Sequence, residues 1–170
     1  MPDVTLRSAT PSDAGAIARI QLETWRATYS HLNPSLADGF DLERTASNWA
    51  KAAVDPAHRL RLADHDGAPV GYAASGAIEG DEAGGAGELH AVYVLPDAHG
   101  LGAGRLLVED ALFGLAQMGY AECVLWVAEQ NEAAQGFYRH LGFHADDARD
   151  VWRGLPVVRY RVDTFPVRLD

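Results

Sequence analysis

The spacing of apolar positions changes several times along the chain, and each change marks an element. Val4-Thr5-Leu6-Arg7 alternates as a half-buried strand does. From Ala14 to about Tyr29, Ile17, Ile20, Leu22, Trp25 and Tyr29 fall at helical spacing, after Thr10-Pro11-Ser12-Asp13 places a proline at the first turn. His31-Leu32-Asn33-Pro34 breaks this helix, and a second runs from about Asp41 to Val54 until Asp55-Pro56. Leu60–Ala63 and Val70–Ala77 read as strands joined through the Asp66-Gly67 hairpin signal. Ile78 to Gly87 is rich in glycine and acid and reads as a flexible connection inside one domain. Glu88–Leu95 is a strand stopped by Pro96, and His99 to Gly104 is a glycine loop opening a helix that Gly119 ends after about Met118. Cys123–Val127 is a strand, Asn131 opens a helix that ends at Leu141-Gly142, Phe143 begins a strand, and Val157–Val162 is the last one. The order β-α-α-β-β-β-α-β-α-β-β predicts an α/β fold, a mixed sheet with helices on both faces.

Composition narrows the function classes. The 170 residues suit one domain spanning 1–170, and 48% hydrophobic against 22% charged excludes global disorder. Fourteen basic against twenty-four acidic residues give a formal charge of −10, and Lys51 is the only lysine. No basic face for nucleic acid is apparent. No apolar run approaches the ~20 residues of a membrane span, and the N-terminus lacks a signal-like pattern, so the expectation is a cytoplasmic protein that meets no membrane. The single cysteine, Cys123, sits in an apolar strand and excludes a disulfide framework or a Cys-rich zinc site. Seven histidines show no metal spacing; His140 and His144 are four apart, but Gly142 breaks the helix between them. No metal is expected. An anionic ligand of so acidic a chain must be held locally, by backbone amides and a few arginines.

The glycine loop can do this. Gly100-Leu101-Gly102-Ala103-Gly104 lies between strand and helix, where N–H groups point outward at the positive end of a helix dipole, and glycines let an anion approach the backbone. Arg105 follows in the first helical turn, where the dipole does not favour a base, and so reads as a second anion contact. The Walker pattern fails for want of Gly-Lys-Ser/Thr. The dinucleotide pattern fails because its third glycine falls on Arg105 or Leu107. A mononucleotide or a coenzyme pyrophosphate remains, beside the plain reading of a tight turn.

Val94-Leu95-Pro96, then His99-Gly100-Leu101-Gly102-Ala103-Gly104, then Asn131, Ala133-Ala134, Phe137-Tyr138 and Leu141-Gly142-Phe143 together resemble the core of the GNAT N-acetyltransferase superfamily. Gly102 and Gly104 match its Arg/Gln-x-x-Gly-x-Gly/Ala loop, and His99 stands where Arg or Gln is usual. The resemblance covers Glu88 to Phe143, and Arg7-x-Ala9-Thr10-x-x-Asp13-Ala14 and Val158-Arg159-Tyr160 also look familial. It implies a mostly antiparallel mixed sheet, acetyl-CoA as co-substrate, and transfer of the acetyl group to an amine, small molecule or peptide, by direct attack in a ternary complex. Dimers are common in the family, so a homodimer is the assembly it suggests.

The resemblance also implies roles. The main chain of Val92 and Val94 would bind the pantetheine arm, and the amides of Gly100 to Gly104, with His99, Leu101, Ala103 and Arg105, the pyrophosphate. Asn131 would contact the pantetheine, and it is also a natural helix N-cap. Glu88 matches a position where the family keeps a general base, with His90 two residues on as a substitute on the same strand face. Tyr138 matches the acid that meets the departing thiolate. Trp25 and Tyr29 would wall the acceptor pocket, although at helical spacing they equally suit the core. Two other readings stand beside this one: a non-catalytic acyl-CoA-binding or regulatory module on the same fold, and an unrelated nucleotide-binding domain that shares only the turn.

Overall fold

A computed structural model describes residues 3–78 and 85–164. The elements are β1 (Val4–Ser8), α1 (Ala14–Tyr29), α2 (Ser35–Asp38), α3 (Leu42–Val54), β2 (His58–His65), β3 (Ala68–Ala77), β4 (Ala86–Val94), α4 (Ala103–Gln117), β5 (Glu122–Ala128), α5 (Glu132–His140), β6 (His144–Trp152) and β7 (Leu155–Asp163). They form one seven-stranded sheet in the order β1-β2-β3-β4-β5-β7-β6. The mixed, mostly antiparallel sheet holds: β4 and β5 are the one parallel pair, and every other neighbour is antiparallel. The single-turn helix α2 is additional to the expected elements, and residues 79–84 of the glycine-rich connection lie outside the described residues.

Each face of the sheet carries its own core. Leu107, Val108, Leu112 and Leu115 of α4 pack with Leu89, Leu125 and Val127, and Phe137 and Tyr138 of α5 lean on the same cluster. On the opposite face Ile17 and Ile20 of α1 meet Leu60, Leu62 and Tyr72, with Trp49 of α3 against them. Burying a large apolar side chain of this kind stabilises by roughly 1.5–3 kcal/mol, so the two layers hold the sheet as a rigid platform. Cys123 lies inside the first cluster, where burial pushes its thiol up to about 12. A thiol so held is a packing group and no nucleophile.

The N-terminal motif is structural. Arg7 on β1 binds Asp13 through Nη1 and Nη2 at 2.9 and 3.0 Å and Asp64 on β2 through Nε at 2.6 Å. Asp13 also accepts from the Thr10 backbone at 2.8 Å, closing the turn that leads into α1. The Arg7 guanidinium, first among the causes, holds the Asp13 carboxyl at about 2. The folded value lies below the unfolded one, so this contribution is complete above pH ~4 and is lost as the pH falls through about 2. Because the arginine is 42% exposed, solvent screening reduces the effect to about 1 kcal/mol. Urea unfolding of Asp13→Asn should therefore show a deficit of about 1 kcal/mol at pH 7 that shrinks toward zero near pH 2; a deficit independent of pH would remove the ion pair as its cause.

Candidate active site

The parallel pair is short. Ala86, Gly87 and Glu88 of β4 face Glu122, Cys123 and Val124 of β5, after which β5 continues with β7 and β4 continues with β3 alone. The two strands therefore splay. The Leu95 N–H donates to the Val70 carbonyl at 2.8 Å, so by strand alternation Tyr93 turns its main chain to β3, while Val92 and Val94 turn theirs into the gap. Their side chains pack in the core beside α4, which leaves only peptide groups for a ligand lying along β4.

A bulge sits where the gap opens. Ala74 pairs with Ala91 and Ser75 with Leu89, so His90 is the extra residue. Leu89, Val92 and Val94 consequently share one core while Ala91 and Tyr93 join the other. His90 and Glu88 come together, with Nδ1 of the imidazole bonded to a carboxylate oxygen of Glu88. The His90 ring meets that of His58 from β2 edge-on at 5.8 Å, and His58 Nε2 lies 3.6 Å from Asp55. Sequence reasoning missed His58, because the contact depends on strand register.

The glycine loop closes the outer end of β4. Gly100 and Gly102 have φ of +89° and +84°, and neither has a heavy atom within 4 Å of where a Cβ would stand. The first α4 N–H with a carbonyl partner is that of Leu106, on Gly102. The amides of Ala103, Gly104 and Arg105 thus remain as donors at the positive end of a 15-residue helix. A Cβ on Gly104 would stand 3.2 Å from the Phe137 ring, so glycine there also lets α5 close in. Two residues of the expected set are engaged elsewhere. His99 Nε2 donates to the Val94 carbonyl at 3.1 Å, which fastens the loop to the strand. Arg105 Nε donates to Glu109 at 2.8 Å, one turn along α4, so an anion would have to compete with that carboxylate.

Helix α5 forms the other wall. Asn131 Oδ1 accepts from the Ala134 N–H at 3.2 Å and is its N-cap. The Gln135 amide donates to the carbonyls of Ala128 and Glu129, while Gln135 Oε1 accepts from the Tyr160 hydroxyl, which in turn accepts from Arg139. This network, also missed from the sequence, fixes the helix that carries Tyr138. The Tyr138 ring lies between Phe137 and Phe143 at 5.2 and 5.6 Å. Unlike that of Tyr160, its hydroxyl is held by no protein group among the described residues. Burial pushes the phenol well above its ordinary range, with the neighbouring Tyr93 and Cys123 adding to this. Tyr93 belongs to the opposite face, so the splay is what brings the two phenols near each other.

On that opposite face Trp25 and Tyr29 are buried, at 4% and 8% exposure, in an aromatic cluster with Phe40 and Trp152. They are core and wall together. Tyr93 packs beside them, and nothing in the sequence pattern distinguished it from its apolar neighbours. A shallow cleft of about 410 Å3 opens at the outer end of β4 between Glu23 and Arg26 of α1 and Leu95 to Asp97, away from Glu88 and Tyr138. No group of three or more metal-ligating side chains comes together among the described residues. No helix there is long and apolar enough to cross a membrane.

Known proteins share this fold. The acetyltransferase (GNAT) family matches residues 17–143. The uncharacterized N-acetyltransferase YuaI of Bacillus subtilis is 30% identical over 129 residues, which is 75% of this chain and 73% of that protein. The PaiA N-acetyltransferase of Thermoplasma acidophilum, solved in complex with coenzyme A, superposes with a TM-score of 0.78 at 19% identity, over 92% of this chain and 98% of that one. YncA of Salmonella typhimurium, a putative acetyltransferase solved with acetyl-CoA, gives 0.75 at 23% identity, over 96% and 95%. With its family profile matched over most of its length and a relative at this identity, the chain belongs to the acetyltransferase (GNAT) family and is an N-acetyltransferase.

Proposed function

We propose that this enzyme binds acetyl-CoA in the β4–β5 gap and acetylates an amine there, with Glu88 as general base and Tyr138 as general acid. The gap itself carries the reading, because it presents the peptide groups of Val92 and Val94 at one end and the free amides of Ala103, Gly104 and Arg105 at the other. The fit to the coenzyme is chemical: an amide-bearing arm suits strand peptides that pair with no neighbouring strand, of which only the Val94 carbonyl is engaged, by His99, and a pyrophosphate suits N–H donors at a helix N-terminus. Bound there, acetyl-CoA supplies an activated acetyl thioester.

The remaining work falls to side chains. An amine acceptor arrives as an ammonium with a pKa of ~10 and must lose a proton before its lone pair forms the new C–N bond. Glu88, at the mouth of the gap and hydrogen-bonded to His90, accepts that proton. As the C–S bond breaks, Tyr138 hydrogen-bonds its O–H to the sulfur; the second proton, which the nitrogen sheds on becoming an amide, ends on the departing thiolate, so the hard-to-ionise phenol is protonated from one turnover to the next. The aromatic cluster about Trp25 and Tyr29 excludes water on the acceptor side.

Thermal unfolding with acetyl-CoA, ATP and NAD tests the coenzyme. At ~100 times the dissociation constant a ligand adds about 2.7 kcal/mol, a rise of roughly 5–10 °C for a chain of this size. The expected result is that rise with acetyl-CoA alone. A rise with ATP or NAD alone would point instead to a nucleotide-binding domain that shares the turn.

A further inference from the structure

The β6–β7 hairpin turns at Arg153 and Gly154, whose φ of 49° and 79° are those of a two-residue turn with both centres left-handed. Asn, Asp or Gly suits the first of these positions, and an arginine there holds strained backbone. The Arg153 carbonyl accepts from Asn33 Nδ2 at 3.2 Å, tying the hairpin tip to the segment after α1. The tip thereby lays the guanidinium over Trp25 and Trp152, 5.1 and 5.6 Å from the ring centroids. The Arg153 side chain is exposed, so its N–H groups remain available to a ligand. Arg149 and Arg159 on the same two strands are paired with Glu129 and Asp146; among the described residues no carboxylate reaches Arg153, in a chain of formal charge −10.

Its neighbours are also donors. The Trp25 indole N–H is buried without an acceptor. The Tyr93 oxygen lies close to this N–H, outside hydrogen-bond geometry, and near the Arg153 charge. The exposed Arg153 guanidinium, the unpartnered Trp25 N–H and the Tyr93 phenol therefore lie about the proposed acceptor wall, and among the described residues no carboxylate pairs with the guanidinium. A buried donor left as the Trp25 N–H is favours a ligand that brings acceptor atoms.

We infer that Arg153 is a specificity residue that reads a carboxylate on the acceptor, so that the amine this enzyme acetylates belongs to an amino-carboxylate rather than to a purely cationic amine. This rests on the acetyltransferase reading above. The edge of a planar guanidinium matches a carboxylate in two parallel hydrogen bonds, which an ammonium of lysine cannot reproduce.

The test uses the full chain with saturating acetyl-CoA and three matched pairs of acceptors: L-phenylalanine, 6-aminohexanoate and glycylglycine, each against its C-terminal amide. A charge-assisted contact of this kind is worth about tenfold or more in affinity. In at least one pair the carboxylate should be preferred about tenfold in kcat/KM, mostly through KM. Arg153→Gln should bring that preference to within about twofold, Arg153→Lys should keep part of it, and KM for acetyl-CoA should move less than about twofold in both. Thermal stabilisation by the same acceptors in the presence of coenzyme A gives a readout without turnover and should follow the same order. Equal use of acid and amide by the native enzyme, or a preference that survives Arg153→Gln, would overturn the inference. Transfer to no member while acetyl-CoA still stabilises the fold would also overturn it and leave the acetyltransferase reading standing; loss of that stabilisation would remove both.

Discussion

Replacing Tyr138 with phenylalanine should lower kcat on the order of 10²-fold, the lower range of what a positioned proton donor contributes, and leave the affinity for acetyl-CoA nearly unchanged. The ring stays. Its edge contacts with Phe137 and Phe143 are aromatic and do not involve the oxygen. Removing the hydroxyl orphans no other group among the described residues, so the unfolding temperature should move by no more than ~2 °C. What is lost is the proton held beside the leaving sulfur. A thiol has a pKa of ~8.5, and burial holds the phenol far above that; Tyr138 therefore acts chiefly as a hydrogen-bond donor to the developing thiolate, a charge-assisted bond that strengthens in the transition state. Steady-state kinetics together with calorimetric binding of acetyl-CoA decide the matter. If kcat is unchanged, or if kcat falls only in step with coenzyme affinity, Tyr138 is a wall and not the acid. The non-catalytic binding module would show no turnover in the native chain to begin with.

Much of this architecture was legible from residue spacing. The long elements were, because α1, α3, α4 and α5 repeat apolar positions at helical spacing and are punctuated by Pro11, Pro56, Gly119 and Gly142. Strand ends were not. β2 runs from His58 to His65, beyond the apolar core of Leu60–Ala63, because pairing with β1 and β3 recruits polar residues that carry no hydrophobic signal. Helix α2 was silent as well: its four residues are begun by Asn33, whose Oδ1 accepts from both the N–H and the hydroxyl of Ser35. The site divides in the same way. Glu88, Tyr138 and Asn131 are candidates through the family resemblance, and the glycine loop through its motif between strand and helix. His58, Tyr93, Gln135 and Arg153 reach it only through the bulge at His90, the β4–β5 splay and the β6–β7 turn, which join residues far apart in the chain. The engagement of His99 with Val94 was equally hidden, since its position in the loop motif suggested a ligand contact.

Glu88→Gln should lower kcat/KM for an amine acceptor by about 10²- to 10³-fold at neutral pH, as expected for loss of a general base. Glutamine keeps the shape and can still accept from His90, so the strand and the bulge are retained. It cannot take a proton. The variant then depends on the small fraction of acceptor already present as free amine, and that fraction rises about tenfold per pH unit until the amine pKa of ~10. Its rate should therefore climb steeply between pH 7 and 9 and partly recover, while the native enzyme gains less over the same range. His90→Ala is the necessary companion. If His90 serves only to orient the carboxylate, its loss should cost less than that of Glu88 and leave the pH profile in the native form. If instead His90→Ala abolishes turnover and Glu88→Gln is mild, the base is the imidazole and Glu88 is the group that orients it, a reversal the hydrogen bond between them permits. A pH profile that remains parallel to the native one in both variants would place proton removal outside this pair altogether, because neither side chain would then set the fraction of reactive amine.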